Sequence, residues 1–285
     1  MRQERVYFMI NSMVIVFSTL IFVISYRGKT DLLFVENGLA VIILLGTVIA
    51  VNMFKCIRLY FALYGTKISL KEHIKQYCKT VPVSMLVPLK AGDIFRGYCY
   101  GYKTNHYLRA FIIILLDRFI DTLALVTVTF FLILSGHEAV PALVYLMLLF
   151  LVLVIAGYYI FPGLYSYWND YFIRNKASVR RNSFLQLLRR CHVIYAETAN
   201  LIRGRCLFLY GISVLAWGIE IGGMVCIRNI LLEEVSLQVI IDYLNSALGM
   251  SRVICLQRFV FFSVVFMLLL YLLMYVRKIA KERKL

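Results

Sequence analysis

Two short stretches of apolar sequence carry charge. Asp117, Arg118 and Asp121 interrupt a long hydrophobic run, and Lys90, Asp93 and Arg96 surround Gly92. A charged side chain in hydrocarbon costs at least ~2.5–3.5 kcal/mol, so such residues face a protein interior or a wet cavity and default to a functional site. Asp117 and Asp121 stand i,i+4 and share a helix face, and Arg118 reaches Asp121 at i,i+3. The triplet sums to −1, which calls for a further cation, and Arg96 is the candidate. Arg offers a planar fork for phosphate and Lys a point charge. Two readings stand for the triplet: a polar cavity for a charged headgroup, or an internal ion-pair network that fixes helix packing. For Lys90, Asp93 and Arg96 the plainer alternative is a charged rim that anchors a hairpin at the membrane surface. Glu220, one turn beyond Trp217, is a lone carboxylate in apolar surroundings. It either complements an ammonium, pairs with Arg118, or is protonated and inert.

No catalytic signature accompanies these groups. The chain lacks a phosphate-binding Gly-rich loop ending in Gly-Lys-Ser/Thr, a Gly-x-Ser-x-Gly elbow and a His-Glu-x-x-His pair. Asp117 and Asp121 could bind a cation, but Arg118 between them argues against it. The seven Cys and four His are dispersed and contain no Cys-x-x-Cys. Neither a zinc site nor a disulfide framework is expected, and no cofactor.

The elements that position these charges are membrane helices. The chain is 62% hydrophobic and 16% charged, with a mean hydropathy of +0.81. Soluble domains average about 45–50% apolar and about 25% charged. An all-α integral membrane protein follows, as one polytopic domain over residues 1–285. The net charge of +16 reads first as a topology signal and not as nucleic-acid binding.

Apolar runs predict six spans: 6–26, 36–54, 106–135, 141–161, 206–231 and 253–276. The first is longer than a signal-peptide core and reads as a retained helix. Asp117 lies roughly 16 Å along the third span, close to the bilayer midplane. Residues 67–79 read as a basic amphipathic surface helix, with Leu70, Ile74 and Tyr77 opposite Lys71, Lys75 and Lys79. Such a helix lies on an anionic lipid surface, or is simply a solvated loop. Residues 81–101 are apolar but broken by Pro82, Pro88, Gly92, Gly97 and Gly101, which predicts a re-entrant hairpin. Residues 162–205 begin at Pro162 as a long polar segment, with an amphipathic helix over 183–203. Lys and Arg concentrate in 55–105, in 162–205 and in the C-terminal tail, whereas 136–140 and 232–250 carry only acids. The positive-inside rule then places both termini and both basic segments in the cytoplasm of a cell whose cytoplasmic (inner) membrane holds the protein.

Taken in order, Pro88, Gly92-Asp93, Arg96, Asp117-Arg118 and Asp121 resemble the paired motif of the lysylphosphatidylglycerol synthase membrane domain, a flippase-like family. Arg58, Trp217 and Glu220 also resemble family positions. The resemblance covers residues 6–231. It implies a stand-alone membrane domain without the soluble aminoacyltransferase domain. It also implies binding and translocation of an aminoacyl-phospholipid or glycan-linked lipid, with a membrane phospholipid or lipid-linked glycan as partner. The substrate-binding set expected on that basis is Lys90, Asp93, Arg96, Asp117, Arg118, Asp121, Trp217 and Glu220. The alternative is a non-transporting partner that docks a separate synthase or glycosyltransferase through its basic segment. The chain departs from the family in its last third: a Pro-Gly-rich loop expected there is missing, since no Pro follows Pro162.

Overall fold

A computed structural model of the chain describes residues 2–28, 37–66, 68–87, 91–136, 142–174, 179–233, 239–243 and 254–282. Among the described residues the regular structure is helical: α1 (Arg2–Tyr26), α2 (Gly38–Ala62), α3 (Leu70–Leu86), α4 (Ala91–Thr104), α5 (Tyr107–Gly136), α6 (Ala142–Arg174), α7 (Val179–Ile202), α8 (Cys206–Ile230) and α9 (Ile254–Glu282). Helices are what a bilayer permits, because each satisfies its own backbone hydrogen bonds. α1, α2, α6, α8 and α9 are long and apolar enough to cross a membrane. The remaining predicted span is α5, whose 30 residues reach about 45 Å. It is set apart by Asp117, Arg118 and Asp121, which it carries in its middle.

Residues 81–101 do not form an independent hairpin. Their first limb is the end of α3, so the expected surface helix and that limb are one continuous helix with Pro82 inside it. α4 is the second limb, and 88–90, with Pro88 and Lys90, lie outside the described residues. The limbs run antiparallel, since Tyr100 bonds His73 and Lys103 pairs with Glu72. At 17 and 14 residues, both are shorter than the ~20 needed to span. The pair therefore brings the chain back to the end at which α3 begins. Close approach makes this possible. A Cβ on Gly92 would meet the Ser84 backbone and the Val83 carbonyl oxygen at 2.7 Å. The expected lipid-facing pattern on α3 holds only in part. Leu70 and Ile74 are exposed, but Tyr77 and Lys79 are buried against the bundle. Amphipathicity told a charged face from an apolar one; it did not tell which charge has a protein partner.

Pro162 does not end the fourth span. α6 continues through it to Arg174. One missing N–H is tolerated in a helix where neighbouring groups adjust.

Contacts between helix ends fix two faces of the bundle. At one, Arg205 before α8 donates to the Tyr64 carbonyl beyond α2, Arg109 near the start of α5 pairs with Glu197 on α7 at 4.0 Å, and Tyr7 of α1 stacks on Tyr102 of α4. At the other, Tyr26 at the end of α1 donates to the Gln257 carbonyl on α9, and Leu44 of α2 packs with Phe259. The described parts of both basic segments gather at the first face. α2 and α8 lie against each other so closely that a Cβ on Gly223 would enter the Thr47 side chain, with Cγ2 at 2.5 Å.

Candidate functional site, a buried ionic centre

Arg58, on the last turns of α2, is the hub. It is 2% exposed. Its Nε donates to Asp117 Oδ1 at 2.8 Å, and its Nη1 donates to both Asp121 Oδ1 and Ser213 Oγ, the latter at 2.7 Å. The i,i+4 spacing of the two aspartates on α5 lets one guanidinium fork serve both. Ser213 brings in α8, so three helices meet at one cation. The extra cation that the −1 triplet called for is therefore Arg58 first, and not Arg96. Asp117 is 2% exposed, and among the described residues its Oδ2 has no hydrogen-bond partner.

Arg118 does not reach Asp121. Its Nε lies 3.2 Å from Asp93 Oδ1 on α4. The i,i+3 option within α5 loses because Asp121 is already taken by Arg58, and Asp93 is brought close by the antiparallel packing of α4 on α5. A Cβ on Gly97 would meet the Phe111 ring at 2.6 Å, which shows how close that packing is.

Arg96 is 1% exposed. Among the described residues it has no carboxylate within ion-pair distance. Its Nε lacks a hydrogen-bond partner, and its guanidinium sits 5.3 Å over the Tyr77 ring. A cation–π contact of this kind supplies about 0.5–2 kcal/mol, well short of the hydration a buried guanidinium gives up. The charge of Asp117 is within its electrostatic reach.

Glu220 does not pair with Arg118. Lys55 Nζ donates to its Oε2 at 3.1 Å, and Tyr243 Oη donates to Oε1 at 3.0 Å. Lys55 is held 5.1 Å over the Trp217 ring. Trp217 is buried, and among the described residues its indole Nε1 has no hydrogen-bond partner. Because Lys55 and Arg58 are one turn apart on α2, this second group adjoins the first. Glu220 also forms one wall of a cavity of about 40 Å³, bordered by Thr47, Tyr243, Arg228 and Arg258. That volume admits water-sized groups and not a whole headgroup.

Of the residues singled out in the sequence, Asp93, Arg96, Asp117, Arg118 and Asp121 converge through α4 and α5, while Trp217 and Glu220 join through α8. Lys90 lies outside the described residues. Lys55, Ser213 and Tyr243 were not anticipated. Lys55 falls where an apolar run ends, a place that reads as snorkelling to water. Its spacing from Arg58 is the only signal that pointed inward. Among the described residues no cluster of three or more His, Cys, Asp or Glu could hold a metal ion.

Helices of spanning length around an ionic centre of four acids and four bases define a polytopic membrane protein with a charged interior. The chain belongs to the family described as the lysylphosphatidylglycerol synthase TM region, whose model matches residues 38–253. No curated protein and no solved structure gives a significant match. The match begins at the first residue of α2, contains every residue of the ionic centre, and leaves out α1 and all of α9. It makes the chain a multi-pass membrane domain of the kind found in lipid-modifying or flippase-like proteins. The stretch in which the Pro-Gly-rich loop is expected lies largely in 234–238 and 244–253, outside the described residues.

Proposed function

We propose that the ionic centre receives the polar headgroup of a membrane lipid and that the protein moves this headgroup across the cytoplasmic membrane. One observation carries the reading: among the described residues Arg96 is a buried cation with no ion-pair partner, within electrostatic reach of Asp117, whose Oδ2 has no hydrogen bond there. A packing network satisfies its members; this one leaves an anion site and an acceptor open at the re-entrant pair. Arg96 engages the lipid phosphate, with Arg118 behind it. Asp117 and the Lys55-linked Glu220 receive a cationic or hydroxyl-rich part of the headgroup. Arg58 holds the two aspartates in place and is a positioning residue. The lipid is an aminoacyl-phospholipid or a glycan-linked lipid.

Translocation of fluorescent lipid in reconstituted vesicles tests this. Arg96→Gln is expected to lower the rate at least tenfold while the protein still folds, and Asp117→Asn to lower it similarly. Full transport by Arg96→Gln and by Arg118→Ala would sink the reading.

A second reading is favoured by α7, where Arg189 and Arg190 are exposed beside exposed Phe184, Leu187 and Val193. On that reading the protein docks a synthase or glycosyltransferase and does not transport. Co-purification of a soluble enzyme that is lost on Arg189→Glu/Arg190→Glu, together with inactivity of the isolated protein in vesicles, distinguishes the two.

A further inference from the structure

A second buried cation lies away from the ionic centre. Lys79 of α3 is 7% exposed. Its Nζ donates to Tyr7 Oη at 2.9 Å and to Asn11 Oδ1 at 2.7 Å, both on α1. The ammonium also lies 5.0 Å over the Tyr7 ring and 5.7 Å over the Phe95 ring. Asn11 is fixed in this orientation, because its Nδ2 donates to the Tyr7 carbonyl at 2.6 Å. Among the described residues no carboxylate lies within ion-pair distance of Lys79. The charged groups that act on it are cations, Lys75 and Lys103, and Lys103 is itself paired with Glu72 at 2.8 Å.

An ammonium has three N–H donors. Two go to these oxygens, and among the described residues the third has only the thiol of Cys99, a weak acceptor. No third oxygen bonds it among the described residues. Lys79 also forms one wall of a cleft between α1, α3 and α9. Ser18 and Thr19 line it, but their hydroxyls donate to their own helix at the Val14 and Ile15 carbonyls. The remaining donor is Tyr271 on α9, which makes no hydrogen bond among the described residues. The other walls are apolar, including Pro82, Val83, Leu86 and Leu268.

We propose that this cleft binds an anionic phospholipid: one phosphate oxygen accepts from Lys79 Nζ and Tyr271 Oη, and the acyl chain lies along the apolar wall. The cleft is about 20 Å³, so a single oxygen enters and the rest of the headgroup stays at its mouth. Free phosphate would bring its full charge and no chain to an apolar wall, which favours the lipid. The site is independent of the ionic centre. α1 and α9, which build it with α3, lie outside the family match.

Native mass spectrometry and thermal unfolding of the full chain in neutral detergent test the proposal, with dihexanoyl-phosphatidylglycerol as probe. The expected result is saturable binding with a rise in melting temperature. Lys79→Gln should weaken it at least tenfold and Tyr271→Phe several-fold. Arg96→Gln should leave the Lys79-dependent binding intact. Dihexanoyl-phosphatidylcholine should bind at least tenfold more weakly. Equal binding by wild type and Tyr271→Phe, together with equal binding by Lys79→Gln where that variant folds, would overturn the site. Equal protection by inorganic phosphate would overturn the lipid assignment.

Discussion

Arg58 is the residue on which the ionic centre turns, and its removal discriminates packing from binding. Deleting one partner of a buried ion pair typically costs about 3–5 kcal/mol, because the other charges are left unpaired. Arg58→Met is therefore expected to lower the melting temperature steeply in detergent. The triple variant Arg58→Met/Asp117→Asn/Asp121→Asn removes the stranded charges and is expected to regain most of that stability. If the network serves packing alone, the triple variant regains transport as well. If it receives a headgroup, stability returns and transport does not. At this scale the sequence was informative about which residues were costly and less so about whom each would meet. Arg118 and Asp121 are three apart in one helix, yet each pairs elsewhere, because Arg58 and Asp93 arrive from α2 and α4. Local spacing reports possible partners; the packing of other helices decides among them. Lys79 shows the same limit, since nothing in residues 67–79 points to Asn11 on another helix.

The helices themselves were legible from apolar run length, because the bilayer sets that length. Their ends were less so. Pro82 and Pro162 both read as breaks, and both lie inside helices, because a single missing N–H does not terminate a helix whose surroundings hold it. The glycines of 81–101 read as breaks, but Gly92, Gly97 and Gly101 lie within α4 and serve as flat surfaces for contact. Substitutions can separate two kinds of contact. Gly223→Ala puts a methyl into the Thr47 side chain and is expected to destabilise by about 1–3 kcal/mol. Thr47→Ala in the same chain should recover most of this, because the obstruction is a side chain. Gly92→Ala meets backbone at Ser84 and Val83, and no side-chain change in α3 should recover it. Unfolding of single and double variants in detergent measures both; recovery of Gly92→Ala by Ser84→Gly would contradict the backbone contact.

For the whole molecule, the charge distribution anticipated what the helix contacts show, that the basic segments share one face. The antiparallel packing of α8 on α2 puts residues 200 and 229 at opposite faces. In a chain whose seven native cysteines are replaced, Asn200→Cys is expected to react with an impermeant maleimide only from the cytoplasmic side. Asn229→Cys should react only from the other side. Labelling of both from the same side would refute the arrangement. Less was legible about how the family-matched unit joins the rest. Composition makes α1 and α9 look like ordinary lipid-facing spans, and much of α1 is exposed. Its few inward polar groups, Asn11 and Ser18, become informative only once α3 is seen beside them.

The Lys79 cluster also has an order in time. α1 leaves the ribosome before α3, so Tyr7 and Asn11 can be in the membrane when Lys79 emerges. The first span thus stands ready as a local solvent for a charge that hydrocarbon would reject. Weakening it by Asn11→Leu should show first during biosynthesis, as α3 stranded at the surface and cleared by proteases, while protein that has completed assembly persists.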